Sequence, residues 1–126
     1  MRIIIIEDEW AIATDYERAL KSAFSDVECV LLPDAQKAAQ THQELSADLI
    51  ITDLIMDSKH EGAYGVHSIR QFDPDVPILI ISGHPKMAEF ADPFSTSKFL
   101  VKPVDTTMLV STVSKMLNVQ PLKTIS

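Results

Sequence analysis

Five short apolar runs, separated by stretches with helical spacing, constrain this chain more than any other feature. They are Arg2–Ile6, Val27–Leu31, Leu49–Thr52, Ile78–Ser82 and Phe99–Val101. Each has the length and β-branched content of a strand rather than a helix. Strands that alternate with helices build a parallel sheet covered on both faces. The nearly continuous Ile and Leu of the first, third and fourth runs suits central strands with no wet side. The expected class is α/β, a doubly wound five-stranded parallel sheet.

Helical periodicity fills the gaps. Ile12, Tyr16, Ala19, Leu20, Ala23 and Phe24 recur at steps of three and four and share one face. A second helix is expected over Ala35–Leu45, with a stripe that is mostly alanine. A third, Tyr64–Phe72, turns Val66 and Ile69 inward and stops at Asp73-Pro74, because the residue before a proline is pushed out of the helical region. A C-terminal helix over Thr106–Leu117 carries Met108, Leu109, Val113, Met116 and Leu117 behind an N-cap at Asp105. Only Lys86–Ala91 lies between Pro85 and Pro93, so a short or irregular fourth helix is expected there.

A chain of 126 residues, 46% of them hydrophobic, can bury a core as one domain without disulfides or structural metals. The expected domain is 1–118, with 119–126 a C-terminal tail or the start of a linker. Eighteen acidic against eleven basic residues give a net charge of −7, which repels a phosphate backbone and excludes direct nucleic-acid binding. Cys29 has no partner for an internal disulfide and reads as a small hydrophobe on a strand, in keeping with a reducing cytoplasm. The Ile3–Ile6 run is too short for a signal peptide or membrane span, and none appears elsewhere. His42, His60, His67 and His84 lack metal-ligand spacing and read as surface or loop residues.

In an open parallel sheet the ligand site lies at the carboxyl ends of the strands. Strand one ends in Glu7-Asp8, strand three in Asp53, strand four in Ser82, and strand five in Lys102 followed by Pro103. Each has an ordinary reading alone: a turn aspartate, acids favoured by a helix dipole, a Ser-Gly turn, a solvated lysine. Yet Glu7, Asp8 and Glu9, adjacent after a buried strand, would repel one another without a cation. Four of the five strands deliver a polar group to one edge.

Glu7-Asp8-Glu9, Asp53-Leu54-Ile55-Met56, Ser82-Gly83 and Lys102-Pro103, in this order on the strand ends, resemble the signature of response-regulator receiver domains. The resemblance spans about Arg2 to Leu117. It implies a flavodoxin-like fold with strand order 2-1-3-4-5 and a phosphorylation-dependent signalling switch. Asp53 would accept a phosphoryl group from a histidine kinase or phosphotransfer protein. A carboxylate that attacks an anion needs its charge neutralised, and Mg²⁺, which takes oxygen ligands and keeps several waters, does this. By resemblance, Asp8 and Asp53 would bind Mg²⁺ directly, Glu7 through water, and the backbone carbonyl of Ile55 would complete the set. Lys102 and Ser82 would hold phosphoryl oxygens, and Ser82 with Phe99 would form the switch.

The resemblance also implies that the chain catalyses only its own phosphorylation and dephosphorylation and is otherwise not an enzyme. Output would pass to a downstream protein target or output domain through the face formed by the fourth helix, fifth strand and last helix, which could also mediate a weak homodimer. Two other readings stay open: a degenerate receiver that binds partners without phosphorylation, and an aspartyl-phosphate phosphohydrolase. The latter resemble a nucleophile on the first strand with a second Asp two residues on, whereas here Asp53 ends the third and Ile55 takes that place. A nucleotide-binding domain is disfavoured, since none of Gly62, Gly65 and Gly83 makes a loop after strand one.

Three positions depart from the family pattern. Asp57 stands where a proline is usual and opens a stretch to Glu61 that is one residue longer. Ile55 offers no polar side chain to hold a hydrolytic water, which implies slow self-dephosphorylation. Phe94-Ser95-Thr96-Ser97-Lys98 replaces the Gly-Ala turn usual before strand five.

Overall fold

The computed structural model describes residues 1–54, 61–83 and 97–122. Its elements run β1 (Arg2–Ile6), α1 (Trp10–Ala23), β2 (Glu28–Leu32), α2 (Ala38–Leu45), β3 (Leu49–Thr52), α3 (Glu61–Phe72), β4 (Ile78–Ser82), β5 (Ser97–Val101) and α4 (Thr106–Leu117). The strands form one sheet in the order β2-β1-β3-β4-β5, and every pairing is parallel. The expected doubly wound architecture and strand order are thus the ones observed. The segments of the short fourth helix, of Ile55 and of residues 57–60 lie outside the described residues.

The period of two along each strand sorts the apolar side chains onto two faces. Ile4, Ile6, Ile50, Ile78 and Ile80 pack with Ala38 of α2 and with Val66 and Ile69 of α3. Ile3, Ile5, Leu49, Ile51, Leu79 and Ile81 pack with Tyr16 and Leu20 of α1 and with Leu109 and Val113 of α4. Both faces of the central strands are dry, which is why their sequence runs without alternation. Each such Ile or Leu contributes about 1.5–3 kcal/mol over its exposed state.

Element ends follow local chemistry. Asp105 caps α4, its carboxylate accepting from the Met108 N–H at 2.7 Å, and the helix has its expected bounds. Helix α2 begins three residues later than expected, at Ala38. Asp34 Oδ1 accepts from the Gln36 N–H at 3.0 Å, and that turn competes with the first helical turn. Helix α3 begins three residues earlier than expected, at Glu61. Strand β2 is shifted by one residue, to Glu28–Leu32, because its register with β1 pairs Arg2 with Glu28 and Ile6 with Leu32. Strand β5 extends back to Ser97, where it pairs with Ile78.

The histidine reading needs one correction. His42 is buried on α2, its Nδ1 accepting from the Ala47 N–H at 3.0 Å and its Nε2 lying 2.7 Å from Asp73 Oδ2. Both ring nitrogens are engaged, so His42 ties α2 to the end of α3. His67 is exposed, as expected, and His60 and His84 lie outside the described residues. No helix among the described residues is long and apolar enough to cross a membrane.

Candidate functional site

From β1 the chain crosses to β2 on one side and returns to β3 on the other, so the strand order reverses between β1 and β3. A crevice opens at the carboxyl ends of strands at such a point. Glu7 follows β1 directly and is buried, its backbone N–H extending the β1–β2 pairing to the Leu32 carbonyl at 3.0 Å. Asp53 follows β3 and is 7% exposed. Ser82, the last residue of β4, is fully buried. Lys102 follows β5, and its N–H donates to the Ser82 carbonyl at 2.9 Å.

The side chains converge as well. Lys102 Nζ donates to Asp53 Oδ2 at 2.7 Å and stands 3.7 Å from Glu7 Oε2. Glu7 Oε1 accepts from the Glu9 N–H at 3.1 Å, which folds the acidic run back over the end of β1. Asp8 is exposed and shares a hydrogen bond with Glu7.

The electrostatics follow from burial. Burial pushes the Glu7 carboxyl up to about 7; the hydrogen bond with Asp8 and the Asp53 charge add to the rise, against the Glu9 N–H and Lys102. Burial pulls Lys102 down, but the hydrogen bond to Asp53 and the charges of Glu7 and Asp53 outweigh it and hold the ammonium above the ordinary lysine range. Lys102 is therefore a fixed cation between two carboxylates.

Among the described residues, no three His, Cys, Asp or Glu side chains are grouped to hold a metal ion. The donor chemistry nonetheless suits a hard dication. Glu7, Asp8 and Asp53 offer only oxygen, and three carboxyl groups face one ammonium. Mg²⁺ requires few protein ligands beside its waters. The Ile55 carbonyl, expected as a further ligand, lies outside the described residues.

The model of the response regulator receiver domain matches residues 3–114. The chain belongs to that family. This receiver domain is similar to the receiver domain of the hybrid histidine kinase CckA at 27% identity and a TM-score of 0.75, covering 93% of this chain and 99% of that one. It is similar to a response regulator receiver protein from Sinorhizobium medicae at 26% identity and a TM-score of 0.78, with 94% of each chain covered. A mutant of the anti-anti-sigma factor PhyR from Bartonella quintana matches at 24% identity and a TM-score of 0.77; the alignment covers 93% of this receiver domain but only 48% of that chain. No curated protein matches.

The structure brings Glu7 and Asp53 to the Lys102 ammonium and sets Ser82 beside Lys102 through the backbone. Phe99, on β5, is half-buried against the cluster under α2 and α3. Three residues near the site escaped the sequence reading. Tyr16 lines a cavity of about 480 Å³ together with Lys102, Ile12 and Val104, and burial raises its phenol. Its only sequence signal was a hydroxyl in an otherwise hydrocarbon stripe. Thr52 donates its hydroxyl to the Asp53 carbonyl at 2.8 Å. Gly62 lies so close to that carbonyl that an added Cβ would stand 1.6 Å from its oxygen.

Proposed function

We propose that this receiver domain takes up a phosphoryl group on Asp53 from the phosphohistidine of a histidine kinase or phosphotransfer protein. An Asp53 carboxylate oxygen bonds to phosphorus as the donor N–P bond breaks, and the imidazole nitrogen keeps the electron pair. The observation that carries this reading is the Lys102 ammonium 2.7 Å from Asp53 Oδ2. It supports the reading because a pre-placed cation stands beside the nucleophile where the incoming phosphoryl oxygens add negative charge. Ser82, held to the same strand end, would donate its hydroxyl to a second phosphoryl oxygen.

Asp8 and Asp53 would bind Mg²⁺ directly, with Glu7 through water and the Ile55 carbonyl. The bound ion would offset the repulsion between carboxylate and phosphoryl oxygens. Lys102 alone cannot do so, since it already answers both Glu7 and Asp53.

On this reading the domain is 1–118, the remainder a tail or linker start, and the setting cytoplasmic. Ser82 and Phe99 would carry the phosphorylated state to the surface around β5 and α4. There a downstream protein or an output domain, rather than nucleic acid, would be the partner.

The test is incubation with acetyl phosphate and Mg²⁺, followed by intact mass and free phosphate together. One phosphoryl group per chain, dependent on Mg²⁺ and decaying slowly, is the expected result. Sustained phosphate release over many turnovers would assign the chain to the phosphohydrolases instead.

A further inference from the structure

Thr52 is the last residue of β3 and is 1% exposed, on a strand otherwise made of Leu and Ile. A hydroxyl in that setting must find an acceptor or cost free energy. Its acceptor is the backbone carbonyl of Asp53, at 2.8 Å. The same oxygen is closely approached by Gly62 in the first turn of α3, where a Cβ would stand 1.6 Å away. The Asp53–Leu54 peptide plane thus meets both a hydroxyl donor and a glycine that leaves room for it.

That plane sets the backbone on both sides. It fixes ψ of Asp53, and with it the direction from which the carboxylate meets Lys102. It also starts the run toward Ile55, two residues on. We propose that Thr52 is a positioning residue for phosphoryl transfer, its hydroxyl holding the Asp53 carbonyl so that the phosphoacceptor is presented to Lys102 and the metal. The inference rests on the reading of Asp53 as phosphoacceptor.

Thr52→Val keeps the β-branched shape and removes the donor, while Thr52→Ser keeps the donor and removes a methyl group. The full chain of each is phosphorylated with acetyl phosphate at saturating Mg²⁺, alongside its melting temperature and the ¹³C resonance of the Asp53 carbonyl. The expected result is a rate constant lower by on the order of tenfold in Thr52→Val, the scale of one buried hydrogen bond. Thr52→Ser should recover most of it, and the Asp53 carbonyl resonance should move upfield only in the valine variant. A merely structural role would lower the melting temperature of Thr52→Val and leave the rate of the folded protein unchanged, which overturns the proposal. Equal slowing in both variants overturns it too. If the unmutated chain takes no phosphoryl group, the proposed function fails, and an unmoved carbonyl resonance in Thr52→Val then separately overturns the hydroxyl's hold on the peptide.

Discussion

Lys102 reaches 49 residues back along the chain to place its ammonium 2.7 Å from Oδ2 of Asp53. Neither residue touches the other's element in sequence; parallel pairing through β4 brings β3 and β5 to the same edge. The contact predicts a rate effect. Lys102→Ala should slow phosphorylation of Asp53 by acetyl phosphate by about a hundredfold, the usual scale for removing one preorganised charge donor. Stopped-flow or mass-detected time courses at saturating Mg²⁺ measure it, and an unchanged rate would contradict the role given to the ammonium.

Gly62 makes a second prediction. Gly62→Ala places a methyl group 1.6 Å from the Asp53 carbonyl oxygen, so backbone must move. The expected loss is about 1–3 kcal/mol in urea unfolding, with slower phosphorylation of the molecules that remain folded. Retention of wild-type stability would mean that the close approach is not fixed.

Away from the site, His42 and Asp73 predict a pH dependence. Burial pushes the Asp73 carboxyl up, but hydrogen bonds from His42 and from the Asp75 and Val76 N–H groups outweigh it and hold the group below the ordinary aspartate value. A carboxyl depressed in the folded state stabilises the fold above its unfolded value and loses that contribution as pH falls through the folded value. Asp73→Asn should therefore cost about 1 kcal/mol at pH 7, and the gap to the parent should close as pH drops below the ordinary aspartate range. A gap that is constant from pH 7 to strong acid would contradict this.

Ile55 bears on lifetime. Ile55, two residues after Asp53 in the sequence, has an apolar side chain that offers no hydrogen bond to a hydrolytic water. Ile55→Asn should shorten the lifetime of the phosphorylated form after the donor is removed. Equal or slower decay would show that something else limits hydrolysis.

What could be read in the sequence depended on whether the deciding partner was local. Helix α4 was legible to the residue, because Asp105 and the Leu109–Val113 stripe are a complete local signal. The strand ends were legible because Glu7, Asp53, Ser82 and Lys102 each break an apolar run. Helix α2 started late because the Asp34 turn competes with a stripe of weak alanines. Ser97 and Lys98 are polar for a strand and join β5 only through pairing with β4. His42 looked like a surface residue because its partner Asp73 lies 31 positions away. Thr52 and Gly62 gave no warning, since what matters is one backbone oxygen that both approach.

The central claim is that Asp53 takes the phosphoryl group. Intact mass of the parent chain and of Asp53→Asn, each incubated with acetyl phosphate and Mg²⁺, tests it most directly. The account predicts a single phosphoryl adduct on the parent and none on the variant. An adduct of equal yield on Asp53→Asn, or none on the folded parent, would contradict it.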